Sequence, residues 1–155
     1  MKARLNMYAP EIMPLLQPML GLKDVESTGL EYSLIELVKT RASQLNGCAF
    51  CIHMHTRDAR AAGESEARLY LLSAWHESPL YTDRERAALA WTEALTLVAE
   101  TKAPDEVYEA LKPHFTEEEI VKLTLVIVAI NAWNRVAVGF RNVHPVRAED
   151  KLQAA

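Results

Sequence analysis

The chain has 155 residues, half of them hydrophobic and a quarter charged, with a formal net charge of −4. That length suits one domain spanning 1–155, with apolar residues enough for a sizeable core. The mild acidity, with no basic stripe and no recognition-helix pattern, gives no reason to expect nucleic acid or an anionic membrane as partner.

The N-terminus, MKARLNMYAPEIMPLL, lacks the apolar run and small-residue cleavage site of a signal peptide. The expectation is a cytoplasmic protein, in a compartment where static disulfides are rare. Leu30, Leu34, Leu37, Val38 and Leu45 then recur at helical spacing, and Asn46-Gly47 ends that helix with residues that tolerate a left-handed backbone. A second helix is expected from about Cys48 to Ala62, stopped by Gly63. Ser65 caps a third, carrying Leu69, Leu72 and Trp75, and Pro79 breaks the chain. Thr82-Asp83-Arg84-Glu85 is a capping box opening a helix with Leu89, Ala90, Ala94, Leu97 and Val98 on its apolar face. Pro104 starts a short helix through Leu111. Thr116-Glu117-Glu118-Glu119 is a second capping box, with an acidic first turn that suits the helix dipole. The helix it opens runs to about Arg141. It is apolar on nearly every side between Val121 and Ile130, as for a helix central to the core or covered by a partner subunit. Pro145 and a polar tail follow. Alternating runs, repeats and Gly/Ser linkers are absent. The pattern predicts an all-α fold, a single compact bundle of about seven helices.

Only two cysteines are present, and they form a C-x-x-C: Asn46-Gly47-Cys48-Ala49-Phe50-Cys51-Ile52-His53-Met54-His55. At about 100° per residue, Cys51 lies at roughly 300° and His55 at roughly 340° from Cys48, while His53 falls at roughly 140°. His55 therefore belongs with the cysteines, and His53 reads as a partly exposed helix residue. The arrangement suits dithiol chemistry. A thiol at a helix N-terminus, in a C-x-x-C and beside an imidazole, is held below the ordinary range near 8.5. His55 follows Cys51 by four residues and can take its proton. A C-x-x-C also closes to a disulfide with little rearrangement, so one sulfur resolves what happens at the other.

Two blander readings stay open. Cys48, Cys51 and His55 supply three of the four ligands of a zinc site, with His76, His114 and His144 candidates for the fourth by residue type alone. The cysteines also fit an inert core pair. Trp75, Trp91 and Trp133 sit at spacings that default to core or interface. Phe50 and Met54 read equally as pocket lining or packing. Asn131 and Asn134, in an apolar helix, call for hydrogen-bond partners, which we place across an interface.

From residue 29 to 63 the chain resembles the AhpD-like alkylhydroperoxidases of the carboxymuconolactone decarboxylase superfamily. The pattern is Glu36, eleven residues, Cys48, two residues, Cys51, three residues, His55, set in Glu36-Leu37-Val38, Arg41, Ser43, Gln44 and Asn46-Gly47. Asn131 to Arg135 resembles a late-helix segment of the same proteins, whereas the first 28 residues add nothing. The resemblance implies an AhpD-like all-α fold assembled as a trimer or hexamer. It implies reduction of a hydroperoxide or disulfide, with Cys51 attacking, Cys48 resolving, and Glu36 and His55 relaying protons. No cofactor or metal is implied, only an external thiol reductant protein or dihydrolipoyl-type donor. Some members carry a histidine between the cysteines, where this chain has Ala49 and Phe50. The other branch of the superfamily implies a decarboxylase using Glu36 and His55 as acid and base. A non-enzymatic oligomeric redox sensor is the remaining reading.

Glu36 lies about 100° or more from the stripe of Leu30, Leu34 and Leu37. A lone Glu there reads as solvated, and only the spacing match makes it a site residue. Thr40 and Ser43 share its side, as a polar site wall or a subunit interface. Arg41 falls on the apolar stripe and needs a partner, Glu36 or another carboxylate.

Overall fold

Side-chain N-caps open four of the helices in the computed structural model, which describes residues 2–20 and 29–146. The described elements are α1 (Met13–Leu20), α2 (Tyr32–Leu45), α3 (Ala49–Ala61), α4 (Glu66–Leu71), a 3-10 turn (Leu72–Ala74), α5 (Asp83–Thr96), α6 (Val98–Thr101), α7 (Asp105–Glu109) and α8 (Glu117–Gly139). Both predicted capping boxes form. Thr82 Oγ1 accepts from the Glu85 N–H at 3.3 Å while Glu85 Oε2 accepts from the Thr82 N–H at 2.8 Å, opening α5. Thr116 and Glu119 repeat the exchange at 3.2 and 2.8 Å, opening α8. Ser65 Oγ caps α4 by accepting from the Arg68 N–H at 3.2 Å.

The all-α class and the approximate helix number are as expected: the described residues hold eight helices, two beyond the six whose positions the sequence marks. One addition is α1, in a segment that offered no periodic signal. The other arises because α5 ends at Thr96, so Leu97 and Val98 leave its apolar face and Val98 is exposed. The short helix after Pro104 covers only Asp105–Glu109, and α8 stops at Gly139. The tail beyond residue 146 lies outside the described residues.

Helix α2, not α8, is the most enclosed. It packs on α3, α5 and α8, and nine residues between Leu34 and Ser43 are buried, including Glu36, Lys39, Thr40 and Ser43. The polar side of the α2 wheel thus faces inward, toward protein rather than solvent. Leu34, Ile35 and Val38 meet Trp91 of α5 and Leu123 and Ile127 of α8 in the main core. By length and composition α8 could cross a membrane, at mean hydropathy 1.5. In the bundle it buries Leu123, Val126, Ile127 and Ile130 and leaves Val121, Val128 and Val138 exposed.

Arg41 finds its carboxylate in Glu93 of α5, not Glu36, with Nε 2.8 Å from Oε1. The Trp75 indole donates to the same oxygen at 2.7 Å. Burial pushes the Glu93 carboxyl up, but the hydrogen bonds from Trp75 and Arg41 outweigh it and hold the group below the usual carboxylate range. This junction ties α2, the 3-10 turn region and α5 together.

Candidate active site

The site begins where α2 ends. Gly47 takes φ +64°, and its N–H donates to Gln44 O at 3.2 Å while the Cys48 N–H donates to Ser43 O at 2.9 Å. That double bond pattern is a Schellman stop, and the left-handed residue at its centre is the reason for glycine there. The residue that completes the stop also starts the next helix. Cys48 is extended (φ −87°, ψ 90°), and its sulfur accepts from the Cys51 N–H at 3.3 Å as the N-cap of α3. Cys48 therefore stands just outside the helix rather than in its first turn, while Cys51 is inside it. The two sulfurs are paired as a disulfide, with Cα atoms 5.4 Å apart.

One turn on, His55 shares the buried side of α3 with Cys51, as the i and i+4 spacing requires. Glu36 comes to it from α2, its Oε2 2.9 Å from His55 Nδ1. Both side chains are buried, Glu36 at 3% exposure and His55 at 6%. With the carboxylate on Nδ1, that nitrogen donates and Nε2 is the ring nitrogen left to accept a proton. Thus Cys48, Cys51, His55 and Glu36 all lie at the α2–α3 junction. His53 does not join them: it stacks on His144 with ring centroids 4.7 Å apart.

A polar network locks this junction to α8. Asn46 Nδ2 donates to Asn131 Oδ1 at 3.0 Å, to Asn134 Oδ1 at 2.9 Å and to Ala42 O at 3.0 Å. Asn134 Nδ2 donates in turn to Ser43 Oγ at 3.1 Å, and Asn131 Nδ2 to Thr96 Oγ1 at 3.0 Å. The partners of Asn131 and Asn134 therefore lie within the chain, not across an interface.

Cys51 and His55 open onto a cavity of about 290 Å³, whose lining does not include Cys48. Phe50 and Met54 of α3 line it, and Phe50 also packs against the cluster of Ala42, Cys48, Cys51, Ile130 and Ala137. Trp133 lines it from α8, and its buried indole N–H meets no acceptor among the described residues. Two groups of lining residues escaped the sequence reading. Met7, Tyr8, Met13 and Leu16 form a wall from the N-terminal segment, held to the end of α8 by the Arg4 N–H donating to Phe140 O at 2.9 Å. Lys39 also lines the cavity, with Nζ 3.6 Å from Glu36 Oε1. Its spacing of three from Glu36 was the available signal. Among the described residues no three His, Cys, Asp or Glu side chains converge in a metal-holding group. His76 instead meets Glu93 at 3.3 Å, and His144 stacks on His53.

An all-helical bundle presenting a dithiol at the start of one helix, backed by a carboxylate from its neighbour, has the AhpD-like architecture. The chain belongs to the carboxymuconolactone decarboxylase family, whose model matches residues 11–94. It is 43% identical over 144 residues to the uncharacterized protein YdfG of Bacillus subtilis, covering 92% of this chain and 97% of that one. It also resembles an Agrobacterium tumefaciens protein of unknown function, provisionally assigned as the antioxidant defence protein AhpD. That crystal structure superposes with a TM-score of 0.90 at 51% identity, covering 94% of this chain and all of that one. The debrominase Bmp8 shares the fold alone, with a TM-score of 0.73 at 19% identity over 90% of this chain and 75% of that one.

Proposed function

We propose that the protein is a thiol-dependent peroxidase that reduces an organic hydroperoxide through Cys51 and Cys48. The observation that carries this reading is the grouping of a C-x-x-C pair with a carboxylate-held imidazole at the floor of a cavity. The Cys51 thiolate attacks the terminal peroxide oxygen: an S–O bond forms, the O–O bond breaks, and the alkoxide leaves as alcohol with a proton from His55. Cys51 is then a sulfenic acid. Cys48 attacks its sulfur, the S–S bond forms, and the oxygen leaves as water. An external dithiol, such as a dihydrolipoyl-type donor, returns two electrons and two protons by disulfide exchange.

Cys51 is assigned the attack because it lines the cavity and shares the buried side of α3 with His55, whereas Cys48 is outside that lining. A cavity lined mostly by apolar side chains, with Lys39, His55, Asp58 and Asn142 among them and an unmatched indole N–H at Trp133, suits an organic peroxide better than hydrogen peroxide. The chemistry needs no cofactor and belongs in a reducing compartment such as the cytoplasm. Homo-oligomerisation through the face of α8 that carries the exposed Val121 and Val128 is part of the same proposal.

The test is steady-state consumption of cumene hydroperoxide with dihydrolipoamide as donor. We expect turnover that Cys51→Ser reduces by at least about 100-fold. Turnover that survives Cys51→Ser would discard the dithiol mechanism, and a wild-type rate equal to buffer would discard the activity.

A further inference from the structure

Lysine is seldom buried without a counter-charge, yet Lys39 is 6% exposed. It follows Glu36 by one helical turn on α2, and each oxygen of that carboxylate has its own neighbour. Oε2 lies 2.9 Å from His55 Nδ1, and Oε1 lies 3.6 Å from Lys39 Nζ. Lys39 also lines the cavity onto which Cys51 and His55 open.

We propose that Lys39 is a positioning residue that acts through Glu36 to set the charge balance in which Cys51 ionises. This rests on Cys51 being the attacking thiol. Two neighbours fix the rotation of the Glu36 carboxylate, so His55 is held with one ring nitrogen toward Glu36 and the other available to Cys51. Charge does the rest. When the Cys51 proton passes to His55 with Lys39 present, the buried group of Glu36, Lys39, His55 and Cys51 is net neutral before and after. Without Lys39 the same transfer takes place in a group that is net negative throughout, beside a carboxylate already buried. Like charges in a low-dielectric site repel strongly, so the second course is less favourable. The ammonium therefore lets a thiolate form beside Glu36 rather than in spite of it.

The test uses the full chain carrying Cys48→Ser, which leaves Cys51 as the lone thiol. Its alkylation rate by iodoacetamide is followed against pH, with Lys39 intact and replaced by Met, Gln or Arg. We expect the half-point of the profile to rise by about one pH unit in Lys39→Met and Lys39→Gln. In Lys39→Arg it stays within a few tenths of the parent, since the charge is kept. If Lys39→Met does not fold, Lys39→Gln, which keeps length and a donor, gives the reading. Half-points unchanged on neutralisation would overturn the proposal. So would an Arg variant displaced as far as the neutral ones, which would mark packing rather than charge. Alkylation involves no peroxide. A wild-type chain without peroxide turnover would thus remove the peroxidase reading and leave this profile to decide the role of Lys39.

Discussion

Replacing Asn46 by aspartate isolates what holds the thiols in place. The network around Asn46 has a direction. Asn131 and Asn134 use their amide N–H groups on Thr96 and Ser43, so both present oxygen to Asn46. Asn46 must therefore donate, and its Nδ2 serves three acceptors within 3.0 Å. The carboxylate introduced by Asn46→Asp has the same shape with no donor, and it brings a charge against two amide oxygens. Loss of the two Nδ2 N–H donors costs about 1 kcal/mol each, moderated by the half-buried position, and the stranded Asn134 Oδ1 adds about 1–2 kcal/mol, while Asn131 Oδ1 keeps the Arg135 guanidinium at 3.0 Å. The sum, about 3 kcal/mol, corresponds to a fall in Tm of roughly 6–12 °C for a chain of this size. Asn46→Ala removes the donor without adding the repulsion, so about half that fall is expected. Thermal unfolding by circular dichroism, with the cysteines reduced in every sample, makes the comparison. A fall in Asn46→Asp no larger than in Asn46→Ala would refute the directional network.

Two further outcomes follow from other parts of the molecule. Because its partners hold Glu93 below the ordinary glutamate value of 4.5, it stabilises the fold above that pH and loses the contribution as pH falls through its lower folded value. The Tm of the wild type should accordingly drop more steeply between about pH 5 and 3 than that of Glu93→Gln; parallel curves would contradict this. At the cavity wall, Met7→Trp adds bulk where Met7 is 4% exposed. KM for cumene hydroperoxide should rise about tenfold while the rate with hydrogen peroxide changes by less than about twofold. An equal loss on both would mean that the N-terminal wall does not select substrate.

The parts of this molecule written in local chemistry were legible in the sequence. Thr82 with Glu85, Thr116 with Glu119, and Asn46-Gly47 each announced a helix end because caps and stops depend on adjacent residues. The sorting of His55 from His53 needed only the helical period. What depended on tertiary neighbours was not legible. Helix α2 is enclosed by three others, so Glu36, which reads as solvated on a wheel, is interior. Lys39 in particular reads as a surface residue until the carboxylate beside it is known to be buried. The N-terminal wall was overlooked because Pro14 and Pro18 break up the apolar period that marks a helix. Asn131 and Asn134 called for partners correctly, but one helix's pattern cannot tell an intrachain neighbour from an intermolecular one.

The dithiol chemistry is tested most directly by a thiol count and an intact mass before and after one equivalent of cumene hydroperoxide. The reduced chain, with its two cysteines, should lose both free thiols and two hydrogens in mass, with Cys48 and Cys51 recovered in one disulfide-linked peptide. Two thiols still titratable after the peroxide has been added, at unchanged mass, would contradict it.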